Sequence, residues 1–411
     1  MSRHFEAFQS RTFRMVWCSS LATAGAQWME RVATGWLALE TGGSALGVGA
    51  VLAARMLPSL LLGLTTGAIA DRLDRRRMLM GVAAGGSLLT LALGLIVRSG
   101  TLAFWEVVVF AFLSGCVQVS DTPARQALVV DAVKRSGAPN ALALNAVASR
   151  LFSAAGALLG GLVIPTFGVA DCYFVVALCY LGGLSVLARL GSAPVLDRSP
   201  VKHPPLTQSI GEAGRLIREL PVVRTLVLAA MACEIFGFSY MTVIPTFARD
   251  VLSVGAEGYG ALTAAAAFGA TIVVLALAGL PAATRREPLL ATVYLIYGAA
   301  LVGLALSPTF GAALVAMALI GGCASAFDLL QQTLVQLAVP DDKRGRAAGI
   351  WAFSIGTAPI GHLEVGGLAT SFGAPTALLA NGSLVIVGAL TLLSRAPTFR
   401  FRRARVGPGL E

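Results

Sequence analysis

Apolar stretches long enough to cross a bilayer recur along almost the whole chain, separated mostly by short gaps, and this excludes a single soluble core. A hydrocarbon layer about 30 Å thick takes roughly 20 apolar residues of helix. Windows of that size fall near 13–39, 45–70, 78–97, 102–124, 140–165, 168–190, 222–247, 258–280, 288–308, 310–338, 346–370 and 374–394. The expected fold is therefore an all-α membrane protein with twelve transmembrane helices. Composition agrees, with 56% hydrophobic and only 13% charged residues and a mean hydropathy of +0.78, well outside the soluble range.

The charge pattern sets the orientation. A net charge of +10 would suit nucleic acid only if it formed one patch or helix face, and here it is dispersed. Arg3, Arg11 and Arg14 precede the first span, Arg72, Arg75, Arg76 and Arg77 follow the second, and Arg125, Lys134 and Arg135 follow the fourth. Further groups lie in the central gap, at Arg285 and Arg286, at Lys343, Arg344 and Arg346, and in the tail, whereas the alternate gaps hold little beyond Arg98 and Arg249. Basic loops stay cytoplasmic, so both termini are expected there and the number of spans is even. The first window is too long for a cleavable signal and lacks a small-residue cleavage site, so it is expected to remain as a helix.

The chain also repeats itself. Ser114-Gly115-Cys116 with Gln118, Asp121 and Arg125 lines up with Gly321-Gly322-Cys323 with Ser325, Asp328 and Gln332, and Gly160-Gly161 lines up with Gly366-Gly367. Two pseudo-symmetric six-helix bundles in one orientation follow, 1–190 and 222–394, with a substrate site expected near midplane between them. The connector 191–221 holds Pro194, Pro200, Pro204 and Pro205 and then an amphipathic stretch from Ser209 to Leu220, read either as a short interfacial helix or as a solvated tether. Residues 395–411 form a basic cytoplasmic tail.

Ionisable groups at membrane depth are costly, so each is a site candidate. Ser20, Thr23, Gln27, Glu30, Arg31 and Thr34 recur at helical spacing in the first span and form a polar stripe expected to line the cavity. Arg55, Arg150 and Glu234 lie ten to twelve residues into their spans, which at 1.5 Å per residue is near midplane. His362 and Glu364 are expected towards the outer side. Glu234 is the first candidate for proton coupling, since burial favours the uncharged form of a carboxyl. Glu30 is the second, with Arg31 and Arg55 able to hold it as an ion pair. Phe238 and Met241, near Glu234, suit an apolar, adaptable substrate.

The loop Gly67-Ala68-Ile69-Ala70-Asp71-Arg72-Leu73-Asp74-Arg75-Arg76 resembles the signature of the major facilitator superfamily, Gly-x-x-x-Asp-Arg-x-Gly-Arg-Arg, with Asp74 in place of the second glycine. This loop and the segment Asp121-Thr122-Pro123-Ala124-Arg125-Gln126 resemble the branch containing the enterobactin exporter and similar drug effluxers. The resemblance covers essentially the whole chain and implies the major facilitator fold, with the loop as a cytoplasmic gate formed by Gly67, Asp71, Arg72, Arg75, Arg76, Asp121, Arg125 and Asp328. On that reading Asp71 faces a helix end of the other half, the loop arginines pair with Asp121, and Asp328 pairs with Arg285 or Arg286. Two features depart from many drug/proton antiporters. No arginine stands between Phe110 and Ser120, and Gly156-Ala157-Leu158-Leu159-Gly160-Gly161 lacks the proline of the usual fifth-helix motif.

Enzymatic chemistry has no support. His4, His203 and His362 fall in no interpretable triad, no Gly-x-x-x-x-Gly-Lys loop is present, and the six cysteines, Cys18, Cys116, Cys172, Cys179, Cys233 and Cys323, show no metal-ligand spacing. The expectation is a monomeric inner-membrane secondary transporter that uses no cofactor or metal and binds no nucleic acid. It would export small amphipathic molecules, drugs or siderophore-like compounds, in exchange for protons. The alternatives are an importer or facilitator of an organic anion held by Arg31, Arg55 and Arg150, and a transport-inactive scaffold.

Overall fold

The computed structural model describes residues 7–70, 74–133, 137–190, 215, 218–279, 286–339 and 354–395, with 62–70, 278 and 395 described as helix only. These residues contain no strand. The helices are α1 (Arg11–Gly42), α2 (Ala45–Ala70), α3 (Arg75–Ser99), α4 (Phe104–Asp131, broken at Val119 and Ser120) and α5 (Ala138–Phe167), followed by α6 (Val169–Ala188). After the connector come α7 (Pro221–Val251), α8 (Gly255–Ala278), α9 (Arg286–Ala305), α10 (Phe310–Ala338), α11 (Ala358–Phe372) and α12 (Ala374–Arg395). Among the described residues nine of these are long and apolar enough to cross a membrane. The exceptions have local causes: α1 carries its polar stripe, and α2 and α11 are described over too short an apolar length.

Most boundaries lie within a few residues of the sequence expectation. The main extension is α4, which runs to Asp131 after its break because a polar second turn, Asp121 to Arg125, is held by its own ion pair. Asp71, Arg72, Arg285, nearly all of the connector and the tail lie outside the described residues, so the expectations placed on them are not addressed by the fold.

Helix ends follow from local chemistry. Ser10 accepts from the Phe13 N–H at 3.2 Å to start α1, and Gly43, at φ 63°, closes it in the left-handed region that glycine alone enters freely. Asp74 caps α3 by accepting from the Arg76 and Arg77 amides. The glycine that the superfamily pattern places at position 74 is therefore replaced by a side-chain cap. Segment α7 is irregular, with π-helical turns at Cys233–Gly237 and Phe247–Val251. Each such turn inserts a residue and rotates the helix face that follows.

Small residues determine which helices touch. A side chain at Gly115 would run into the Arg55 carbonyl, joining α2 to α4, and one at Gly321 would run into the Ala266 carbonyl, joining α8 to α10. Likewise Gly156 lies on Gly25, joining α1 to α5, and Gly361 lies on Ile235, joining α7 to α11. The Tyr180 ring fills the space beside Gly86 (α3 and α6), and the Gly382 backbone abuts Gly298 (α9 and α12). Each contact in the first six helices thus has a counterpart six helices later.

The two groups of helices meet at one end of the bundle, the end carrying the short links at 43–44, 100–103, 168, 252–254, 306–309 and 373. There Gly161 of α5 meets Gly260 of α8, where an added Cβ would come within 2.8 Å of the Gly260 Cα. Gly49 of α2 abuts the His362 carbonyl of α11, and the Leu46 N–H donates to Thr370 Oγ1 at 2.9 Å. Backbone contact without intervening side chains makes this a tight seal. Large apolar side chains such as Leu88, Leu95, Leu158, Leu162, Leu178 and Leu319 point outward and remain exposed, as a lipid-facing surface requires.

Candidate functional site

Below the seal lies a cavity of about 230 Å³. Its wall takes Gln27, Trp28 and Arg31 from α1, Arg55, Met56 and Ser59 from α2, and Gln118, Asp121 and Thr122 from α4. From the second group it takes Tyr240, Met241 and Ile244 of α7, Tyr259 and Thr263 of α8, Met317 of α10 and His362 of α11. A surface of flexible thioethers and aromatic faces with a few fixed polar groups can accommodate variable amphipathic molecules.

The densest polar cluster sits behind this wall. Glu30 is fully buried, and its Oε1 accepts from Arg55 Nη1 at 2.7 Å and from Ser114 Oγ at 2.5 Å. Its Oε2 accepts from Tyr180 Oη at 2.9 Å and from Gln118 Nε2 at 3.2 Å. Gln118 Oε1 in turn accepts from Arg55 Nη2 at 2.9 Å. Four helices are thereby tied through one carboxylate, and the expected ion pair of Glu30 with Arg55 is present. Ser114 and Gln118 stood in the aligned repeat but were not singled out as site residues, although their four-residue spacing puts them on one face of α4. Tyr180 carried no signal, because a tyrosine in an apolar span reads as packing.

The polar stripe of α1 divides between two faces. Gln27 and Arg31 line the cavity, whereas Glu30 turns inward and Thr34 Oγ1 meets Tyr173 Oη at 3.0 Å. Ser20 accepts from Arg125 Nη1 at 3.1 Å. A stripe over 100° wide cannot face a cavity along its full width once neighbouring helices pack on both flanks.

Several expected cavity residues lie elsewhere. Phe238 packs edge-on against Tyr297 at 6.1 Å between ring centres, and Glu364 accepts from Asn381 Nδ2 at 3.1 Å, between α11 and α12. Arg150 reaches across the two groups to donate to Ser325 Oγ at 3.1 Å. None of the three lines the cavity, and neither does Glu234. Glu234 falls in the first π turn of α7, which rotates the face that follows, and Tyr240 and Met241 beyond it line the cavity. Asp328 lies within electrostatic reach of both Glu234 and Arg150. His362 does line the cavity, and its Nδ1 is 2.8 Å from Thr242 Oγ1.

The gate pairings also differ from expectation. Asp121 pairs with Arg125 one turn along its own helix, Oδ1 to Nη2 at 2.5 Å, because the i,i+4 geometry brings them together without ordering a loop. Arg75 pairs instead with Asp131. Arg76 donates through Nε and Nη2 to the Leu187 and Ala188 carbonyls, each at 2.9 Å, the C-terminal end of α6 where a cation is favoured. These contacts brace α3, α4 and α6 together and do not cross to the second group. Asp328 faces Arg150, and among the described residues it forms no ion pair with Arg286.

The chain matches the profile of the transmembrane secretion effector family over residues 2–403. It belongs to that family, within the major facilitator superfamily. It is similar to the staphyloferrin A transporter of Staphylococcus aureus strain NCTC 8325 / PS 47, 24% identical over 84% of this chain and 86% of the relative. The multidrug efflux pump Tap of Mycolicibacterium fortuitum is 28% identical over 87% and 89%. The enterobactin exporter EntS of Shigella boydii serotype 18 is 28% identical over 85% and 82%. Among solved structures, a bacterial homologue of the lysosomal transporter Spinster, in an inward-facing and unoccupied conformation, overlays with a TM-score of 0.71 at 15% identity, over 95% of this chain and 98% of that one. The family makes this chain a multi-pass membrane transporter of small molecules, not an enzyme, and its expected kinship with siderophore and drug exporters holds.

Proposed function

We propose that the chain is a proton-coupled exporter of small amphipathic molecules, drugs or siderophore-like compounds, working by alternating access with both termini cytoplasmic. On this reading twelve spans cross a bacterial inner membrane as two six-helix halves, and the sealed end of the bundle is the periplasmic one. The observation that carries the reading is a cavity walled by both groups of helices and, among the described residues, closed by backbone contacts at one end. Backbone contacts at Gly161 and Gly49 form the seal, while the wall runs on to Ser59, Asp121 and Thr122 towards the other end.

Two halves that meet closely at the seal can rock about the fixed cavity and expose it to each face in turn. Arg150, reaching from α5 to Ser325 with Asp328 and Glu234 close by, is the polar contact through which proton binding would bias that motion. A carboxylate that gains a proton loses its attraction for the arginine. Glu30, saturated by four donors, serves in this scheme as a structural anchor. Purified protein in proteoliposomes with an imposed pH difference tests the proposal: ethidium should move against its gradient when the interior is acid, and absence of any gradient-dependent flux would defeat it.

A further inference from the structure

Among the described residues, one cation in the cavity wall is left over. Arg55 is committed to Glu30 and Gln118, Arg125 to Asp121, and His362 to Thr242. Arg31 lines the same cavity and has no ion pair or hydrogen bond among the described residues, and its buried Nε is without a partner. Its guanidinium lies over the Trp28 ring at 4.7 Å from the centroid, a contact that fixes the group in place without neutralising it. Asp121 and Glu30, the acids nearest the cavity, are each ion-paired to another arginine, and Glu30 acts on Arg31 only at longer range.

We propose that Arg31 is the anion-binding group of the cavity, so that the preferred substrates are amphipathic molecules bearing a carboxylate beside an aromatic or apolar body. The planar guanidinium suits a two-oxygen anion. The adjacent Trp28, Met241, Tyr259 and Met317 supply the apolar wall for the rest of the molecule, and Gln27, one turn before Arg31, is placed to accept or donate at the rim. Desolvating Arg31 without a counter-ion is costly. An anionic ligand therefore gains from entering the site, whereas a neutral molecule of the same shape does not.

This inference rests on the transporter reading and narrows it. Its test is equilibrium dialysis of the full-length purified protein against 2-naphthoate and its methyl ester, two probes of matched shape and different charge. The acid should bind tighter than the ester. Arg31→Gln should weaken acid binding roughly ten- to hundred-fold, the range for a charge-assisted contact, and leave the ester unchanged, while Arg31→Lys should keep a large part of the acid preference. Equal binding of acid and ester, equal loss of both in Arg31→Gln, or binding of neither probe would overturn it. Gradient-driven flux of both ethidium and 2-naphthoate by the wild-type protein separates the two failures. If either compound moves and acid and ester bind alike, only the substrate charge is wrong; if neither moves, the transporter reading falls.

Discussion

Removing Arg55 should damage the protein more than removing its partner Glu30. The reason is the asymmetry of their surroundings. Glu30 is fully buried and accepts from Arg55, Ser114, Tyr180 and Gln118, whereas Arg55 is 8% exposed and opens onto the cavity. In Arg55→Met the carboxylate stays dry without its cation, a defect of about 3–5 kcal/mol. In Glu30→Gln the side chain keeps its shape and part of its hydrogen bonding, and Arg55 retains Gln118 and cavity water, for a cost of about 1–2 kcal/mol. At roughly 2 °C per kcal/mol for a large chain, Arg55→Met should melt about 6–10 °C below wild type in detergent and Glu30→Gln only about 2–4 °C below. The double variant removes both charges and should melt above Arg55→Met alone. An Arg55→Met protein as stable as wild type, or a double variant that melts lower than the two single losses added together, would refute the view that this charge pair is structural.

Other variants probe the seal and the coupling group. Gly161→Leu places a side chain where the Gly260 backbone lies and should hold that end open, seen as increased labelling of a nearby engineered cysteine from the periplasmic side and loss of flux. Glu234→Gln should eliminate transport driven by a pH gradient while sparing downhill exchange, measured in proteoliposomes. Arg150→Ala should weaken the contact between α5 and α10 and speed exchange between the two conformations without lowering the melting temperature by more than about 1 °C, since Arg150 is only partly buried.

Helices at the apolar windows were legible because hydrocarbon imposes a length and a composition that survive any detail of packing, and α2 (Ala45–Ala70) falls where its apolar window predicts a helix. The internal repeat was legible for a similar reason, though one residue off in register: the alignment set Gly115 against Gly322 and Gly161 against Gly367, whereas Gly115 and Gly321 perform the same close approach, as do Gly161 and Gly366. What failed was aim. Phe238 was expected in the cavity from its nearness to Glu234, but a depth in the membrane says nothing of the face a residue takes, and the π turn at Cys233–Gly237 breaks the regular helical period there. Asp121 was assigned a distant partner although Arg125 stood one turn away. The donors to Glu30 were missed because the buried carboxylate of α1 recruits Ser114 and Gln118 from α4 and Tyr180 from α6, and no linear pattern ties those helices to one another.

Alternating exposure of the cavity is the claim on which the rest depends, and single cysteines at Gln27 and Met241, in a background with the six native cysteines replaced, test it directly. A membrane-impermeant thiol reagent should label both positions from the cytoplasmic side at rest, and from the periplasmic side as well once substrate and a proton gradient are supplied. Labelling from one face only under every condition, or from neither, would contradict it.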